Sequence, residues 1–225
     1  MTRRRLLSLG CSLAILTALA APPRPAGAGP PLICWPLEIG DAKSLPWDSR
    51  KGEEAGYNID RLVEDTLPLL SPDTPVLVRM ETLRRATIYA HKDSRIASEL
   101  LARVKARVLD AEAKGRADAD ACFDAGYLIE CYRHMSLISR LKTWATGPDG
   151  YGWVLKGIGL SGENPEMEFG AALVAEGLKK RDPEHLRKAL TRVADNSLLA
   201  RNLVRQFARR GETIADLRTR VRNTQ

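Results

Sequence analysis

Three features are scarce in this 225-residue chain. Aromatic residues make up 5% of it, histidine occurs three times, and there are no runs in which Val, Ile or Thr alternate with polar residues. Without such alternation the sequence does not predict a β-sheet. Ala, Leu, Arg and Glu are plentiful instead, and these residues favour helices. The sequence therefore predicts an all-α fold.

The single long apolar run lies at the N-terminus. Three arginines at positions 3–5 precede an apolar stretch over residues 6–20, and prolines follow it. The stretch has roughly 15 residues, fewer than the ~20 that a membrane-spanning helix needs. We expect residues 1–28 to be a secretory signal peptide that is cleaved after Ala28 or, alternatively, after Ala20. The mature protein is then exported, either to the periplasm or out of the cell.

Residues 29–57 differ in composition from the rest of the chain. This segment is rich in proline and glycine and contains Trp35 and Trp47. Pro36 and Pro46 oppose a regular helix, while tryptophans favour packing against other residues. We expect an extended N-terminal arm that lies in a groove of the domain.

Helix signals follow one another through residues 58–225. Capping residues precede apolar stripes at Asp93, Asp118, Asn164 and Asp182, and proline follows the last two caps. Short connections between such helices favour antiparallel neighbours. We predict one domain, a stack of helical hairpins or an orthogonal bundle, preceded by the arm. Successive hairpins start roughly 45 residues apart, in the range of helical repeats.

Three cysteines follow the signal peptide: Cys34, Cys122 and Cys131. Cys122 and Cys131 fall on opposite faces of one predicted helix, so they cannot bond to each other. In an oxidising compartment Cys34 could pair with either of them and fasten the arm to the domain. The alternative is three free thiols.

No catalytic, metal or cofactor site emerges from the motifs. Cys131 and His134 share a helix face and could form a thiolate pair or hold a metal, although a third ligand would have to come from elsewhere, such as Cys34 or His91. A packing cysteine beside a histidine is the commoner arrangement. Residues 157–162 have the Gly-x-Gly-x-x-Gly spacing, yet no strand precedes them, as a dinucleotide site would require. We therefore predict no cofactor.

Positive charge is concentrated at the C-terminal end. Residues 179–225 hold 13 Lys and Arg against 5 Asp and Glu, whereas residues 29–178 hold 18 against 23. Arg201, Arg205 and Arg209 are spaced to form one helical stripe. No aromatic residue is interleaved to stack on bases, so nucleic acid is not an expected partner. The stripe suits anionic lipid, an acidic partner, or docking on the chain's own acidic part.

The favoured function is that of an exported, non-enzymatic binding protein. We expect it to contact another protein through the arm tryptophans Trp35 and Trp47 or through the basic stripe Arg201, Arg205 and Arg209. One alternative is an envelope enzyme or metal/thiol protein built on Cys131 and His134. A second alternative is binding to an anionic lipid surface through the basic helices.

Overall fold

The computed structural model describes residues 31–139, 149–178 and 182–224. Almost all regular structure within these ranges is helical, so the predicted all-α fold with a preceding arm is confirmed. The helices are α1 (Pro31–Cys34), α2 (Leu62–Thr66), α3 (Val76–Ala90), α4 (Ser94–Ala113), α5 (Ala119–Ile138), α6 (Gly150–Ser161), α7 (Pro165–Gly177), α8 (Pro183–Thr191), α9 (Leu198–Phe207) and α10 (Ile214–Arg222). The predicted signal peptide, residues 1–28, lies outside the described residues.

Four of the predicted capping residues begin helices. The side chains of Asp93, Asp118, Asn164 and Asp182 accept hydrogen bonds from backbone N–H groups in the first turns of α4, α5, α7 and α8. These N–H groups have no partner inside the helix, which is why a short polar side chain at this position fixes the helix start.

The backbones of helices α5 and α6 are in direct contact where the two helices cross. A Cβ atom on Gly157 of α6 would lie 2.8 Å from the carbonyl oxygen of Ala119 and 2.9 Å from the backbone nitrogen of Phe123, both at the start of α5. Glycine is therefore required at this crossing. Gly157 and Gly159 lie inside α6, and Gly162, with φ of 72°, ends it. The glycine-rich motif thus belongs to a helix and its C-terminal cap.

Helix α3 lies in the interior and is buried on nearly every side. At its start Arg79, which is wholly buried, donates to Asp124 of α5 at 2.7 Å, and Arg107 of α4 donates to the same carboxylate at 2.7 Å. A buried carboxylate needs such partners, since an unpaired charge in the interior is strongly unfavourable. This pairing ties α3, α4 and α5 together.

The polar residues of α3 hold the N-terminal arm. Glu81 accepts from the backbone nitrogen of Leu37 at 2.9 Å, Arg84 donates to the carbonyl of Ile33 at 3.0 Å, and Arg85 donates to the carbonyl of Leu45 at 2.6 Å. These bonds satisfy backbone groups that have no ladder partner.

The arm itself is not uniformly extended. It opens with the single helical turn α1, which buries Leu32 and Ile33 in the core. It later forms a small antiparallel ribbon of β1 (Trp47–Asp48) and β2 (Gly52–Glu53). Among the described residues, no helix is both long enough and apolar enough to cross a membrane.

Helix α9 packs on the other side of the arm. The buried side chain of Asn202 accepts from the backbone nitrogen of Glu38 and donates to its carbonyl oxygen, both at 2.8 Å. One amide side chain thus satisfies both backbone groups of an arm residue, as a neighbouring strand would. The N-terminal arm therefore lies between α3 and α9.

Candidate functional site

The Cys131 and His134 face of α5 is fully enclosed. Cys131 is 0% exposed and His134 is 1% exposed. Burial raises the pKa of the Cys131 thiol, and the opposing effects of Arg84 and Thr87 do not offset it. Burial, and to a lesser degree the charge of Arg133, lowers the pKa of His134 to about 4. Both groups are therefore held in their neutral forms, the opposite of a reactive thiolate–imidazolium pair.

The three cysteines of the described residues are free thiols. Neither of the two predicted disulfides of Cys34, with Cys122 or with Cys131, is present. Cys34 is exposed at the end of α1, whereas Cys122 and Cys131 are buried within the packed faces of α5. The hydrogen bonds from α3 and α9, not a covalent link, hold the arm in place.

The two arm tryptophans have different environments. Trp47 is packed within the protein: the guanidinium carbons of Arg84 and Arg85 lie 4.7 and 5.7 Å from its ring centroid, and Tyr89 meets it edge-on at 6.3 Å. Trp35 is 42% exposed. Of the two predicted contact residues, only Trp35 presents a large surface to solvent.

The predicted basic stripe is shorter in the structure. Arg201 and Arg205 lie on α9, but the helix ends at Phe207, so Arg209 lies beyond it. Both helical arginines reach back to the arm: Arg201 pairs with Glu38 at 2.9 Å, and Arg205 pairs with the same carboxylate at 3.8 Å. Arg205 also donates to the carbonyl of Pro36 at 3.4 Å.

The structure also contains a polar cluster that the sequence motifs did not predict. The hydroxyl of Tyr151 and Nε2 of His185 are 2.9 Å apart, and Nδ1 of His185 lies 2.5 Å from Oε2 of Glu168. All three residues are more than nine-tenths buried. They come from α6, α7 and α8, so the cluster joins three helices through one imidazole whose two nitrogens are both engaged.

A cavity of about 450 Å³ lies beside this cluster. Glu168 forms part of its wall. The remaining lining residues come from the end of α6, the start of α7 and one face of α8: Ile158, Gly159, Gly162, Glu163, Asn164, Pro165, Arg187, Lys188, Thr191 and Arg192. Cavities of this size, mainly apolar with a few polar groups, are typical of small-molecule sites.

Sequence spacing gave little sign of this site. Glu168 lies 17 residues before His185, and Tyr151 lies 34 residues before it. The only available signal was the group of acids at the start of α7, where negative charge is favourable in any case. No group of three His, Cys, Asp or Glu side chains suited to a metal ion occurs in the part of the chain that the structure describes.

The fold and the site define the chain as an all-α protein whose helical domain holds an N-terminal arm and contains a cavity beside a buried polar cluster. No family model, curated protein or solved structure matches it.

Proposed function

We propose that the chain is an exported binding protein that contacts another protein through the surface formed by Trp35, Glu38, Arg201 and Arg205, here called the arm surface. The observation that carries the proposal is that the two surfaces expected to contact a partner, the arm and α9, lie next to each other. An exposed tryptophan of the arm and two arginines of α9 share one region, although more than 160 residues separate them along the chain.

The residue types of the arm surface suit protein recognition. Tryptophan and arginine are enriched among the residues that contribute most to protein–protein affinity. A cavity of about 390 Å³ adjoins Glu38, Arg201 and Arg205. It is also lined by Asp195, Ala200, Val204 and Ile214. It offers an apolar recess next to the charged groups.

Charge favours an acidic partner. Arg201 and Arg205 face the single carboxylate of Glu38, and their side chains remain 50% and 44% exposed. Exposed ion pairs of this kind are weak, so a carboxylate of a partner can compete for the guanidinium groups. We therefore expect an acidic segment with an apolar side chain that packs on Trp35.

Site-specific photocrosslinking in the native host tests this proposal. A benzophenone amino acid at position 35 should yield an adduct with a protein, and Arg201→Glu with Arg205→Glu should abolish it. The matched control carries the same amino acid at Leu109, an exposed apolar position on α4. Equal adducts at both positions, or none at position 35, would contradict the proposal.

The lipid alternative has a separate readout. Sedimentation with vesicles that contain phosphatidylglycerol, at low and high salt, measures the attraction of the basic helices to an anionic surface. Salt-sensitive binding to these vesicles without a protein adduct at position 35 would favour the lipid function instead. Export itself is tested by the N-terminal sequence of the secreted protein, which should begin at Gly29.

A further inference from the structure

We propose that the cavity between α6, α7 and α8 binds a small apolar amino acid, with its ammonium group on Glu168 and its carboxylate on the basic face of α8. This ligand is independent of the protein partner proposed above, because the cavity shares no lining residue with the arm surface.

Glu168 supplies a prepared site for a cationic donor. Its side chain is only 7% exposed, and His185 engages Oε2. The other oxygen, Oε1, lies 3.6 Å from Nζ of Lys188, a residue that also lines the cavity. The contact of Oε1 with Lys188 is longer than a hydrogen bond. A ligand ammonium can donate to Oε1 directly.

His185 and Tyr151 hold the carboxylate of Glu168 in position. The imidazole lies between Glu168 and the Tyr151 hydroxyl, and all three side chains are buried. A binding group whose orientation is fixed before the ligand arrives loses little conformational entropy on binding. This arrangement gives Glu168 one defined orientation at the cavity wall.

The ligand carboxylate, which is attached to the same carbon atom as the ammonium, is met by positive charge. Arg187, Lys188 and Arg192 line the cavity from α8 and its C-terminal cap. Arg192 pairs with the exposed carboxylate of Glu163, and the Lys188 side chain is 49% exposed. Both cations can therefore turn to a ligand carboxylate at a small cost.

Another part of the cavity lining is apolar. Ile158, Gly159, Gly162 and Pro165 contribute no charged or hydrogen-bonding side chain to the lining. Gly159 is exposed, and a Cβ on it would meet no atom within 4 Å. An aliphatic side chain of a ligand fills such a space favourably, since it is removed from water.

Leucine and two analogues, each of which lacks one of its charged groups, test the proposal. L-leucine carries both charged groups, 4-methylpentanoate lacks the ammonium, and 3-methylbutan-1-amine lacks the carboxylate. We expect leucine to bind at least about tenfold more tightly than either analogue, which is the factor expected from one charge-assisted hydrogen bond. Saturation-transfer NMR on the full chain measures this binding, and titration of protein amide shifts gives the Kd.

Two substitutions should produce reciprocal patterns. Glu168→Gln should remove the preference for leucine over 4-methylpentanoate. Lys188→Gln should remove the preference for leucine over 3-methylbutan-1-amine. Glu176→Gln, which changes an exposed acid on the same helix as Glu168, is the matched control and should leave all three affinities within about twofold.

A cavity-filling variant separates binding from folding. Gly159→Leu adds a bulky side chain at a residue that lines the cavity, and it does so without backbone strain, because Gly159 is helical and has no positive φ. It should fold normally and lose leucine binding, whereas Leu160→Ala on the same helix should retain it. Failure of leucine to bind at millimolar concentration, or unchanged binding to Gly159→Leu, would overturn the proposal. Neither result bears on crosslinking at position 35.

Discussion

The imidazole of His134 occupies the space that a Cβ atom on Gly177 would need. His134 lies near the end of α5 and Gly177 is the last residue of α7, so the histidine ring packs against the backbone of α7. Within the described residues neither ring nitrogen has a hydrogen-bond partner. This buried, neutral imidazole contributes to packing, and its role can be tested in two ways.

Replacing Gly177 with alanine should weaken the fold. The new methyl group must displace the His134 ring, and overpacking of this kind lowers the free energy of unfolding by about 1–3 kcal/mol. Urea denaturation followed by circular dichroism measures the change. Gly159→Ala is the control, because an added Cβ there meets nothing within 4 Å. It should raise stability by up to about 1 kcal/mol through helix propensity. Equal effects of the two substitutions would contradict the packing account.

Acid should destabilise the protein through His134. Its pKa is about 4 in the folded state and near the ordinary 6.5 in the unfolded state, so the unfolded chain binds the proton more readily. The stabilisation from the neutral ring is fully present above pH 6.5 and is lost as pH falls from 6.5 to 4, by roughly 3 kcal/mol in total.

The variant His134→Met isolates this contribution. Wild type and variant should differ by a constant amount in unfolding free energy above pH 7, where the histidine is neutral in both states. Below pH 6.5 the wild type should lose stability more steeply than the variant. Parallel curves across pH 4–7 would show that His134 does not carry the effect.

Glu81 should be the most sensitive attachment point of the arm. It receives hydrogen bonds from Leu37, Arg84 and Arg85 and is 0% exposed. Glu81→Gln leaves the buried guanidinium of Arg84 without its counter-charge, which should cost about 3–5 kcal/mol. Guanidinium chloride unfolding measures the loss, and faster tryptic cleavage at Lys43 should report release of the arm.

An exposed acid provides the comparison for Glu81. Glu99 pairs with Arg95 at 3.7 Å, with both side chains more than half exposed. Glu99→Gln should change stability by less than about 0.5 kcal/mol and leave the tryptic pattern intact. If both variants behaved alike, the buried contacts of Glu81 would not be what holds the arm.

Thiol labelling should distinguish the three cysteines. In folded protein purified without reductant, iodoacetamide should modify Cys34, which is exposed, and leave Cys122 and Cys131, which are buried, unmodified. In urea all three should react, as shown by peptide mass spectrometry. Protection of Cys34 that persists in urea and is removed by reductant would show that the predicted disulfide forms after all.

Local signals in the sequence predicted much of the fold. Short polar side chains at Asp93, Asp118, Asn164 and Asp182 fix helix starts by contacts within four residues, so spacing alone reveals them. Helix α3 was harder to interpret. Its polar residues Glu81 and Arg84 face the arm and are as buried as its apolar ones, so the periodic pattern does not distinguish a core face from a solvent face.

The candidate site could not be predicted from the sequence, for a related reason. Glu168, His185 and Tyr151 each have an ordinary local role: an acid in a first turn, a residue near a helix start, and an apolar-stripe position. Only the crossing of three helices brings them within hydrogen-bond distance. The extent of the basic stripe also depended on structure, since α9 ends at Phe207 and excludes Arg209.

The amide of Asn202 joins the first described segment of the chain to its penultimate helix. Glu38 leaves the ribosome early, yet both of its backbone groups are hydrogen-bonded by a side chain 164 positions later in the chain. A fold closed in this way cannot be completed by a partly synthesised chain. The contacts that complete the fold join residues far apart in the sequence, and such contacts form slowly. The chain therefore stays incompletely folded until its C-terminal helices have been synthesised.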